Sequence, residues 1–208
     1  MVEVPDSLPA RMFLLAYDVT KKRMTARSRL GYVLRGAALT ELYLDGRLGE
    51  KNGKPCVETA GDDPYGLLHQ ISGSRPRSWQ HWVRKDHRAI VRAVQAELAR
   101  EGWIRVEQHR VLGLFPATRV TVRDTRVVKA LWGGASSALR GTPVAHVNSW
   151  DAAAVALAAA GDLKAVLPRS DRRRYKRRIE ELTARSGPAA KAVRKAVDAQ
   201  NAASGAAG

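Results

Sequence analysis

One cysteine in 208 residues, Cys56, leaves no internal disulfide to form and fits a reducing compartment. Long apolar runs are missing too: none approaches the roughly 20 residues that cross a bilayer as a helix. The first residues, MVEVPDSLPARMFLLAYDV, do not read as a secretory signal, because their opening is acidic and Asp18 closes a short apolar run. The histidines His69, His81, His87, His109 and His146 form no HExxH, and one cysteine cannot complete a zinc set. No Gly-x-Ser-x-Gly, Walker loop or GxGxxG occurs, and no nucleophile–base pair is visible. A binding protein without metal or cofactor is expected, rather than an enzyme.

Carboxylates are scarce as well. Lys and Arg number 36 against 20 Asp and Glu, a net charge of +16. Such an excess attracts a polyanion, either a phosphate-bearing membrane or nucleic acid, and says nothing about fold. A high-GC coding bias, which enriches Ala, Arg and Gly together, accounts for part of it. The hydrophobic fraction of 45% can bury a core.

Apolar periodicity places several helices. Leu30, Leu34, Ala38 and Leu42 recur every four residues, with Ser28 as the expected N-cap and Gly46 beyond the end. Asp63-Pro64 reads as a helix start, and Ser78 as the cap of a short Trp-rich segment. Ile90, Val94 and Leu98 make the buried stripe of a helix over 86–100 that Gly102 ends. Asn52-Gly53 predicts a tight hairpin turn with polar, weakly anchored flanks. Residues 103–106 and 111–115 read as two strands joined through Gln108-His109. A helix over 124–139 is expected to carry Val127, Val128, Leu131 and Trp132 inward and to kink at Gly133-Gly134. An Ala-rich helix over 150–160 suits the middle of a bundle. Residues 169–178 hold seven basic groups against one Asp, and 201–208 read as disordered.

The candidate site is cationic. Arg35 sits in an apolar helical turn, so its guanidinium either reaches solvent or points into a pocket. Arg88 and Arg92 lie four apart on one helix face, behind Arg84 and Lys85. Several guanidinium forks together would hold a phosphate through charge-assisted, bidentate bonds. Trp79 and Trp82 offer rings suited to a bilayer interface. From spacing alone, a solvated basic face is the commoner outcome for such a cluster.

The segment LLAYDVTKKRMTARSRLGYVLRGAALTELYLDGRL, followed by AVQAELAREGWI and VLGLFPATRV, resembles the Golgi phosphoprotein 3 family, the GPP34-like domain. The resemblance implies a mainly α fold: a helical bundle core wrapped by amphipathic helices, with one or two β-hairpins. It places that domain on 1–185, with 186–208 as a partly disordered Ala/Lys-rich tail. It also implies a peripheral membrane protein that binds anionic phospholipid head groups, phosphatidylinositol 4-phosphate-like, and serves as an adaptor for membrane-protein clients.

The family pocket joins a tryptophan, the arginine of an LRG motif and two arginines three apart. Arg35 stands at the LRG position and Arg88 at the first of the pair; the second falls on Val91, with Arg92 next to it. Ala26 stands near the tryptophan position, and the hairpin at 50–55 lacks an apolar tip. The Ala/Arg/Gly bias suggests a bacterial member, cytoplasmic and peripheral on the inner face of a membrane. Against this stands a basic winged-helix-like nucleic-acid binder, built from the helix ending at Gly102 and the hairpin after it. Nucleic acid is the less favoured partner, because that helix exposes few base-reading residues.

Overall fold

The computed structural model describes residues 2–111, 115–141 and 143–205; the side chains of 109–111 and 115–117 are outside that description. In chain order the helices are α1 (Leu8–Leu15), α2 (Arg27–Leu44), α3 (Leu67–Ser72), α4 (Trp79–Arg84) and α5 (His87–Arg100), then α6 (Thr125–Arg140), α7 (Ser149–Ala160), α8 (Arg169–Arg174), α9 (Lys176–Arg185) and α10 (Ala189–Gly205). The strands β1 (Tyr17–Asp18) and β2 (Arg23–Met24), β3 (Leu48–Lys51) and β4 (Lys54–Val57), and β5 (Ile104–Val111) and β6 (Phe115–Val122) form three antiparallel pairs. The fold is mainly α with β-hairpins, as expected.

The bundle is built on α2. Every residue from Leu30 to Thr40 is buried, because α1, α4, α5, α7 and α10 all pack on it. A helix apolar on every side belongs in a core. Small residues set the spacing. A Cβ at Gly36 would run into the Val193 side chain, so the glycine lets α10 lie against α2. The alanines of α7 do the same for α6, α9 and α10: residues 152–160 are all buried, with almost no side chain to hold neighbours off.

Several local expectations give way to packing. Ser28 does not cap α2; the N-cap is two residues earlier, at Ala26, whose φ is 51° and whose carbonyl takes the amides of Arg29 and Leu30. Asp63-Pro64 does not begin a helix, but an Asp63 carboxylate oxygen accepts the Leu68 amide of α3 at 2.5 Å. α6 runs through Gly133-Gly134 unbroken, and Gly134 is where the helix passes Asp151, whose Oδ1 would lie 2.6 Å from an added Cβ. Trp132 is not inward; it is 43% exposed.

The second strand of the later hairpin begins at Phe115 and runs on to Val122, beyond the expected end at 115, with Gln108 and His109 inside β5. Its pattern is period two: Val120 and Val122 are buried while Arg119 and Thr121 are exposed. The expectation for Leu112, Gly113 and Leu114 lies outside the described residues. Asn52-Gly53 forms the turn of β3–β4, both at positive φ. That hairpin is better held than its polarity predicts, since the Trp79 indole N–H donates to Glu50 at 2.7 Å.

The region after 186 is not a loose tail. α10 buries Ala189, Ala190, Ala192, Val193, Ala196 and Val197 against α2, α4 and α7. Val193→Asp places an unpaired carboxylate beside Gly36, and urea titration should find it destabilising by about 3 kcal/mol or more. On a disordered tail the same change would cost less than about 0.5 kcal/mol.

Candidate anion-binding site

Arg35 lies on α2 and is 2% exposed, one of three buried polar or charged residues among those described. α4 explains its orientation. A helix leaves its last carbonyls without intrahelical partners, and α4 stops at Arg84 because Lys85 is extended and Asp86 is left-handed. The Trp82 carbonyl is thereby free, and Arg35 Nε donates to it at 3.1 Å. Arg35 Nη2 is buried and has no acceptor. Burial pushes the guanidinium pKa down, and the negative charges of Asp86 and Asp63 oppose that shift. No carboxylate is within ion-pair distance of Arg35 among the described residues. An arginine stays protonated at any ordinary pH, so α2 carries a buried positive charge with an empty donor.

Other cations gather beside it. The Lys85 ammonium lies over the Trp82 ring, 5.1 Å from its centroid. The His81 ring meets Trp82 edge-on at 5.1 Å. Burial holds the His81 pKa below the usual range, and the charges of Arg77, Lys85 and Arg35 lower it further. Arg77 precedes α4, His81 lies on it and Lys85 follows it, and the charges of Arg77 and Lys85 both reach the His81 ring. Together with Arg35 they make a positive cluster around Trp82.

The expected site residues divide accordingly. Arg35, Lys85 and Trp82 come together. Trp79 is 5% exposed and Trp82 is 1% exposed, so neither ring is offered to a bilayer surface; both are packed in the core. Arg84 points outward and lends only its carbonyl, 2.8 Å from His87 Nδ1. Arg88 and Arg92 are exposed on α5. The start of α5 still abuts the same turn of α2, because His87 stacks on Tyr32 with centroids 4.4 Å apart. Arg77 and His81 were missed, because the turns on either side of the short α4, not a helical period, bring Arg77 and Lys85 near His81.

A second charged region has the opposite sign. Asp6, Glu41, Asp45, Asp62, Asp63 and Glu97 are among the residues lining a cleft of about 640 Å³. Ser7 and Tyr65 donate to the two oxygens of Glu97 at 2.9 and 2.5 Å, and the Leu8 amide donates to Glu41 at 3.2 Å. These bonds tie the N-terminus of α1 to α2 and α5.

Fold and site define a helical bundle with paired β-hairpins and a buried, unneutralised arginine at its centre. The chain belongs to the Golgi phosphoprotein 3 (GPP34) family, whose family model matches residues 8–200. The match includes most of α10, which therefore belongs to the domain. Comparison with curated proteins finds no match. Among the described residues no helix is long and apolar enough to cross a membrane.

Burial raises the Glu41 pKa to about 7; the Leu8 amide and Arg11 oppose the rise, and the charges of Asp45 and Glu97 add to it. The folded state then holds a proton that the unfolded state has released, so this group's stabilisation is full below about pH 4.5 and lost as pH rises through about 7. Glu41→Gln should flatten stability between those limits and be the more stable protein at pH 8, by on the order of 2 kcal/mol after allowing for partial exposure. Urea titrations across that range check it.

Proposed function

We propose that the protein is a peripheral membrane protein that receives the phosphate of an anionic phospholipid head group, phosphatidylinositol 4-phosphate-like, at the basic cluster around Arg35. The observation that carries the reading is the buried guanidinium with an unsatisfied Nη2 and no carboxylate partner. Burying a charge unpaired is costly. A phosphate supplies both the missing charge and the missing acceptor, through short charge-assisted bonds. Arg77 and Lys85 add positive charge beside it, and with Arg35 they lower the His81 pKa, an effect that a bound anion would oppose.

Arg88 and Arg92 then serve the approach of the lipid surface rather than the inner contact, because both are exposed. The basic run over 169–178 adds nonspecific attraction, at roughly 1 kcal/mol per cation near an anionic leaflet. No catalytic step is assigned. Membership of the family agrees with a lipid-binding adaptor, and retention of membrane-protein clients is part of the reading.

A binding site that holds an unpaired charge trades stability for affinity. Arg35→Met should therefore raise the unfolding free energy by about 1 kcal/mol. The same change should weaken sedimentation with vesicles containing phosphatidylinositol 4-phosphate by about tenfold or more. Arg173→Ser with Arg177→Ser should weaken it only a few-fold. Equal vesicle binding by parent and Arg35→Met removes the Arg35 cluster from the account.

His81 gives an independent reading. Titrated by NMR with inositol phosphate, its pKa should move upward, because the added anion favours the imidazolium. An unmoved His81 with intact vesicle binding would place the lipid elsewhere.

A further inference from the structure

α9 and α10 are joined by the short turn around Gly187 and both lie on α7, yet they barely touch one another. They splay like the arms of a V, and α7 forms the floor. The trough between them is about 700 Å³ and open along its outer side. Its floor and inner walls are small and apolar: Ala156, Ala159 and Ala160 from α7, Ile179 and Ala184 from α9, Ala190 from α10.

The rim is charged with one sign. Arg172, Lys176, Lys191, Arg194 and Lys195 line it, against one carboxylate, Glu180. Arg172 pairs with Asp162 at 2.6 Å, a carboxylate it shares with Arg29, and Arg194 pairs with Asp198 at 3.0 Å. Lys176, Lys191 and Lys195 are exposed and make no ion pair among the described residues. None of these groups belongs to the Arg35 cluster.

We propose that this trough docks a short, acidic amphipathic helix of a partner protein. An alanine floor lets a helix backbone approach closely, and the arms leave room for one more helix in the bundle, about three turns matched to the length of α9. Glutamates or aspartates flanking the partner's apolar stripe meet Lys176 on one arm and Lys191 and Lys195 on the other. The open outer side selects a helix over an acyl chain: a helix leaves its polar face in water, whereas an acyl chain would leave apolar surface wet. A second copy of this surface is disfavoured, because it would set these lysines against their own equivalents.

The test uses the full chain and a labelled peptide of about 14 residues, with leucines along one helical stripe and glutamates flanking them. A matched peptide carries lysines in place of the glutamates, and a fluorescent long-chain fatty acid is the third probe. Two variants probe the groove: Ala184→Trp, at an exposed position, fills it, and Lys191→Glu with Lys195→Glu reverses one wall.

The glutamate peptide is expected to bind and gain helicity on binding. Its affinity should fall about tenfold or more in each variant, while the charge-reversed protein gains affinity for the lysine peptide. Arg35→Met should bind the glutamate peptide as the parent does, which separates this surface from the lipid site. Several results overturn the proposal: no binding of the glutamate peptide, equal binding of both peptides, or indifference to Ala184→Trp. Capture of the fatty acid in a manner that Ala184→Trp abolishes makes the trough a lipid site and overturns it too.

Discussion

The structure turns on a charged side chain placed where charge is least welcome. α2 is enclosed by five other helices, and along its eleven-residue buried stretch from Leu30 to Thr40 the only ionisable groups are Tyr32 and Arg35. The hydrophobic effect would be served as well or better by a leucine at Arg35. Its guanidinium is instead held in a fixed direction by the Trp82 carbonyl, which is free only because α4 ends after a turn and a half. The short α4, the left-handed Asp86 and the tight Gly31–His87 approach together bring His81 and Lys85 near that one group.

Charge is sorted over the molecule in a way that the net figure conceals. Basic groups crowd α4, α8, α9 and the outer side of α10, whereas carboxylates of α2, α5 and the loop before α3 gather in one cleft. Asp162 links the halves of the basic region. Burial alone would push its pKa up, but hydrogen bonds from Arg29 and Arg172, both at 2.6 Å, hold it below the usual range. That clasp fastens the start of α2 to the end of α7 and to α8.

Much of the bundle was legible because helical burial repeats. The stripes of α2 and α5 follow from apolar residues every three or four positions, and the β3–β4 turn from Asn52-Gly53. The site was legible only in part. Arg35 and Lys85 could be named from the chain, but the outward direction of Arg88 and Arg92 depends on how α5 is rotated against α2. Trp79 and Trp82 read as surface aromatics because α4 is so short; tertiary packing, not pattern, buries them. α10 was hidden by its composition, since alanine and lysine together carry little apolar signal, and its helix is explained by the notch that Gly36 offers Val193. Most of β6 was hidden because, among its described side chains, only Val120 and Val122 alternate inward, too short a pattern to read as a strand.

The notch at Gly36 ties together segments made at opposite ends of synthesis. α2 emerges early, yet the helix that closes its flank is the last of the described chain, more than a hundred residues later. Contacts of such wide sequence separation slow folding, because the loop between them must be ordered before they form. On the ribosome the central helix therefore waits with an apolar side uncovered, a target for chaperones, until α10 arrives to seal it.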